Sequence, residues 1–152
     1  MTARQQIVDA LIRAYFAELE TVMNYLANSV NLDGVRARQV GAALAADVPA
    51  ELGHAQALAA RIKTIGGFVP GSMALKAAQK ALQPPSDTTD VIAVIRGVIA
   101  AEEDAIAVYR EIIRLCDGVD YGTQDLAITN MADEEQHLRE FRGFLREYEK
   151  SA

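Results

Sequence analysis

Glu51-Leu52-Gly53-His54 and Glu134-Glu135-Gln136-His137 contain the only two histidines of this 152-residue chain, and each histidine follows a glutamate by three positions. On an α-helix, positions three apart share a face. With eleven glutamates in the sequence, a glutamate three residues before both histidines has a chance probability of roughly 0.5% when positions are independent. The two tetrads are therefore read as one device used twice, on two helices.

Each tetrad lies on an apolar stripe. Leu44, Glu51, His54, Leu58, Ile62 and Ile65 follow one helical face, and Met131, Glu134, His137, Phe141, Leu145 and Tyr148 follow another, so the carboxylates and imidazoles point inward. Two further stripes carry a glutamate near their midpoint: Ile7, Leu11, Tyr15, Glu18, Val22 and Tyr25, and Ile95, Val98, Glu102, Ala105, Tyr109, Ile112 and Cys116. The halves repeat one layout. Glu18 precedes Tyr25 by 7 residues and Glu51 by 33, while Glu102 precedes Tyr109 by 7 and Glu134 by 32.

These stripes belong to four long helical patterns, approximately 3–32, 35–65, 88–117 and 123–149, within one domain spanning 1–152. Thr2 and Gln5 read as a capping box at the start of the first, and Asp33-Gly34 as its close. Gly66-Gly67 with Pro70 ends the second, and Asp117-Gly118 with Tyr121-Gly122 joins the third to the fourth. The four prolines are expected outside the long periodic segments. Between the two short hairpins runs a connection from Gly66 to about Thr88, with Ala74 to Leu82 expected as a short helix. One long crossover between helices two and three, flanked by short turns, is the connectivity of a ferritin-like four-helix bundle. The fold class is all-α.

Composition narrows the function. The single cysteine, Cys116, excludes a disulfide framework and a thiolate metal site. It is read as a small buried hydrophobe, and a reducing cytoplasm as the compartment. No apolar run reaches the roughly 18 residues of a membrane span, and Arg4, Asp9 and Arg13 interrupt any signal-peptide pattern. The net charge of −6 falls entirely in residues 91–152 and no basic patch exists, so direct nucleic-acid binding is not expected. Four ionised carboxylates in a bundle interior each cost several kcal/mol unless compensated. Two divalent cations cancel their charge, and oxygen-rich ligation with one imidazole per metal suits iron, with manganese as the alternative.

Taken together, Glu18, Glu51, His54, Glu102, Glu134 and His137 give the chain a resemblance, over nearly its whole length, to bacterioferritins and related ferritin-like proteins, matching their ferroxidase ligands one for one. The resemblance implies that Glu51 and Glu134 bridge two irons, with Glu18 and His54 completing one and Glu102 and His137 the other. It also implies oxidation of ferrous iron by oxygen or hydrogen peroxide for storage and detoxification, with Tyr25 beside the site. Leu52 stands where bacterioferritins have their haem-ligating methionine, so no haem is expected. The chain ends soon after the fourth helix, where those relatives add a fifth. The expected homo-oligomeric shell is therefore nearer the twelve subunits of the DNA-protecting mini-ferritins than twenty-four. The alternative is a rubrerythrin-like or other di-iron or di-manganese redox enzyme acting on peroxide or a small substrate. Rubrerythrins carry an extra glutamate where this chain has Ala105. Asp47, one turn before Glu51, is read as a partly solvated carboxylate outside the site.

Overall fold

A computed structural model describes residues 1–150. Its four helices are α1 (Ala3–Asn31), α2 (Ala37–Thr64), α3 (Val91–Cys116) and α4 (Tyr121–Lys150), with no strand among the described residues. No described helix is long and apolar enough to cross a membrane.

The helix ends have identifiable chemical causes. Thr2 Oγ1 accepts from the Gln5 backbone N–H at 3.1 Å, satisfying one of the donors that a helix start leaves open. Only half of the expected box forms, because the Gln5 amide turns outward to Asp9 at 2.9 Å. At the end of α2 the Gly67 N–H reaches the Ile62 carbonyl at 2.8 Å and the Gly66 N–H that of Lys63 at 3.0 Å. This paired closure requires Gly66 at its φ of +85°. Asp120 starts α4 by accepting from the Thr123 N–H at 3.0 Å. Arg61 near the end of α2 binds both, through Asp120 at 2.7 Å and Thr123 at 2.8 Å.

One proline departs from expectation: Pro49 sits inside α2. It cannot donate to the Ala45 carbonyl. Both residues are exposed, so water can take the place of the missing donor.

The apolar stripes meet in two clusters. Ile7, Leu11, Leu58, Ile62, Tyr109 and Ile112 pack at one end, and Tyr25, Val40, Leu44, Leu82, Ile95 and Phe141 at the other. The first cluster joins the start of α1 to the ends of α2 and α3, so α1 and α3 run in opposite directions. Burying each such side chain contributes about 1.5–3 kcal/mol. Between the clusters lies a polar layer at mid-helix.

The crossover spans the length of the bundle, as expected, but not as a helix over Ala74–Leu82. Only Ser72–Ala74 forms a single 3₁₀ turn, and the chain beyond is tied to α1 instead of to itself. Glu20 accepts from the backbone N–H groups of Ala78 and Gln79 at 3.0 and 2.9 Å. Asn28 donates to the Leu82 carbonyl at 3.0 Å. Those contacts occupy the backbone groups a helix would use. Gly97 of α3 admits this segment, since a Cβ there would lie 2.6 Å from the Ala81 carbonyl oxygen.

Candidate metal centre

The mid-helix polar layer brings together all six residues of the sequence reading, with Glu18 from α1, Glu51 and His54 from α2, Glu102 from α3, and Glu134 and His137 from α4. Their atoms form two overlapping groups among the described residues: Glu18, Glu51, His54 and Glu134, and Glu51, Glu102, Glu134 and His137. Within each group, one donor atom per residue lies within 4.8 Å of the others. Glu51 and Glu134 belong to both. The four glutamates are 0–3% exposed, so water does not solvate their charge.

Both imidazoles turn Nδ1 inward. His54 Nδ1 lies 2.7 Å from Glu134 Oε1, 3.5 Å from Glu51 Oε2 and 3.7 Å from Glu18 Oε1. His137 Nδ1 lies 3.0 Å from Glu51 Oε1 and 3.8 Å from Glu102 Oε1. The outer nitrogen of His54 faces Asp133 Oδ2 at 2.9 Å. In a neutral ring that contact holds the proton on Nε2 and leaves the Nδ1 lone pair aimed into the layer.

Two tyrosines cross between the halves. Tyr25 of α1 donates to Glu102 of α3, and Tyr109 of α3 donates to Glu18 of α1 at 2.7 Å. The sequence repeat of glutamate and tyrosine seven apart thus becomes a reciprocal pair of hydrogen bonds. Asn130 supports the second by donating to the Tyr109 hydroxyl at 3.2 Å. Burial, with the neighbouring Glu102 and Glu18 charges, raises both phenols, so they remain donors.

Protons crowd this layer. Burial raises Glu134 to about 12 and, together with a hydrogen bond to Glu51, Glu18 to about 8. Burial also opposes ionisation of Glu51, but the neighbouring Glu18 carboxyl and the two imidazoles outweigh it and hold this carboxylate ionised. Desolvation disfavours imidazolium, yet Glu102 and Glu51 raise His137 to about 10. Glu134, Glu18 and Glu51 likewise overcome desolvation at His54 and raise it strongly. Protons here do the work of missing positive charge.

Glu51 Oε2, Glu102 Oε2, Glu134 Oε1 and His54 Nδ1 are buried and make no hydrogen bond. His54 Nδ1 and Glu134 Oε1 approach to 2.7 Å without the geometry of one. Several ligand atoms converging on common points without making hydrogen bonds fit divalent cations that replace the protons, and the donor set of six suits two.

Asp47 lies closer to this layer than the sequence reading placed it. Its Oδ1 is 3.9 Å from His137 Nε2, its Oδ2 is buried without a partner, and burial raises it to about 6. Glu103 and Glu135 are exposed and Cys116 is buried. The sequence reading missed Asp133, whose partner His54 is 79 residues away, and Asn130. Neither position carries a spacing signal.

The model of the ferritin-like domain family matches residues 8–151. No curated protein matches the chain in sequence. A ferritin-like, diiron-carboxylate protein from Bacillus anthracis superposes with a TM-score of 0.80 at 20% identity, covering 95% of this chain and 99% of that one. The bacterioferritin-related protein of Bacteroides fragilis, a dodecameric thioferritin, superposes with a TM-score of 0.82 at 21% identity, covering 97% and 89%.

Proposed function

This chain belongs to the ferritin-like domain family, and we propose that it is a ferroxidase that takes up ferrous iron at the six-residue layer and oxidises it for storage and detoxification. The observation carrying this reading is that two four-residue donor groups share Glu51 and Glu134. Such sharing provides two neighbouring positions for iron joined by two carboxylates. Glu18 and His54 would complete one, and Glu102 and His137 the other.

Charge gives the reaction its direction. Two ferrous ions neutralise four carboxylates. Each gives one electron to dioxygen, which takes up two protons and leaves as hydrogen peroxide. The ferric pair then carries two charges more than the four carboxylates cancel, and an uncompensated charge in a buried layer is unfavourable. Departure of ferric iron towards a mineral relieves it. Tyr25 and Tyr109 hold Glu102 and Glu18 in position throughout, and Asp133 holds the His54 ring. Manganese fits the same donors, while Leu52 supplies no ligand atom for a haem.

Storage needs a shell; one relative's assembly supports twelve subunits, and exposed apolar helix surfaces support contact between copies. The Bacteroides fragilis relative is dodecameric. Met23, Leu26 and Val30, at spacings of three and four on α1, are 54–74% exposed, and Leu52 on α2 is 40% exposed. Between Gln39 and Ala60 the only ionisable residues are Asp47, Glu51 and His54. Apolar, charge-poor helix surfaces favour contact between subunits.

Light-scattering mass combined with aerobic ferrous titration of the metal-stripped protein tests the proposal. A twelve-subunit assembly retaining far more iron than two per chain is expected. A small oligomer that saturates at two and needs re-reduction would replace storage with a peroxide- or substrate-directed redox enzyme.

A further inference from the structure

An opening reaches the polar layer on a side away from Asp47 and His137. Between α1, α3 and the crossover lies a cavity of about 50 Å³ whose lining includes Glu18 and Tyr109. Its walls are mainly aliphatic, with Ala14 and Ala17 from α1 facing Ala101, Ala105 and Val108 from α3. Asp104, which is exposed, also lines it and brings it to the surface. The crossover closes one side through Gln79, whose amide donates to Thr21 Oγ1 at 2.8 Å and accepts from Asn24 at 2.8 Å.

We propose that this cavity is the route and holding site for dioxygen at the iron pair, an inference that rests on the ferroxidase reading and assigns its oxidant a separate entrance. Size and lining both favour a small neutral molecule over the cation. At roughly 10–15 Å³ of cavity space per water, the cavity holds about four waters, fewer than the shell of about six around a ferrous ion. Stripping the shell requires replacement oxygen ligands, and the Ala14, Ala17, Ala101, Ala105 and Val108 walls between Asp104 at the surface and Glu18 have none. The polar groups of Thr21 and Gln79 are already bonded to each other. Aliphatic walls of this kind accept small apolar guests. Dioxygen entering here meets Glu18, a member of one donor group and not the other, so the two iron positions are unequal towards the oxidant.

Ala105 and Ala17 control the space. Valine at either position adds two carbons to the cavity from opposite helices, without replacing any of the six donors. The test uses the full chain in its native assembly. Crystals pressurised with xenon should show a peak beside Ala105 and Glu18 that disappears in Ala105→Val. In stopped-flow mixing of ferrous-loaded protein with dissolved dioxygen, Ala105→Val and Ala17→Val should each slow oxidation by about tenfold or more. Anaerobic ferrous binding should keep its stoichiometry and affinity. Xenon absent from the cavity, oxidation by both variants at the unaltered rate, or weakened ferrous binding in both would each overturn the proposal. An unaltered protein that binds ferrous iron without oxidising it would overturn the ferroxidase reading itself. That failure is recognisable because it precedes any substitution.

Discussion

Metal entering the polar layer must displace protons, and their number can be counted from the structure. In the metal-free protein at pH 7, Glu134 at about 12, Glu18 at about 8 and His137 at about 10 each hold a proton, as does the strongly raised His54. Ligands bind metal as carboxylates and neutral imidazoles, so filling both positions releases about four protons per chain. Four protons carry the charge of two divalent ions, which leaves the buried layer at the same net charge before and after. Each ion then exchanges for about two protons, and its apparent dissociation constant rises about 100-fold for each unit of falling pH. The sign follows from the raised pKa values: protons hold these groups below them and compete with metal. Above pH 8, where Glu18 has lost its proton, release falls to about three. Anaerobic calorimetry with ferrous iron, in buffers of different ionisation enthalpy, measures the count directly. Release below one proton per two ions at pH 7 would refute this account of the layer's charge.

Glu134→Gln replaces a group that is already protonated in the metal-free protein. Urea denaturation of the metal-free variant should therefore show a change under about 1.5 kcal/mol, while anaerobic titration loses ferrous binding; a stability loss of several kcal/mol would contradict the assignment. Tyr109→Phe leaves Glu18 without its buried donor and should cost about 1–3 kcal/mol in the same denaturation, with a change under about 0.5 kcal/mol opposing it. Gly97→Ala places a Cβ 2.6 Å from the Ala81 carbonyl oxygen. Displacing the crossover should cost about 1–3 kcal/mol, and unchanged thermal melting would show that the crossover is not held there.

The four helices were legible because their apolar faces repeat at helical spacing and their turns contain glycines that the chain needs, as at Gly66. The six polar residues were legible for a related reason: each interrupts an apolar stripe, and the two half-sequences repeat the interruption. What sequence spacing did not show depends on contacts between distant segments. Ala74 to Leu82 has helical composition, yet Glu20, Thr21, Asn24 and Asn28 bind it as an extended strap. Asp133 differs from other surface aspartates only by facing His54. Pro49 was misplaced because its effect was judged by residue type, whereas its position on the exposed side of α2 makes the lost hydrogen bond tolerable.

Anomalous diffraction at the iron edge, from crystals exposed to ferrous iron without oxygen, tests the central claim most directly. The account predicts two peaks per chain about 3.5–4 Å apart, both bordered by Glu51 and Glu134, with Glu18 and His54 beside one and Glu102 and His137 beside the other. A single peak, or iron bound only at surface carboxylates while the six residues remain empty, would contradict it.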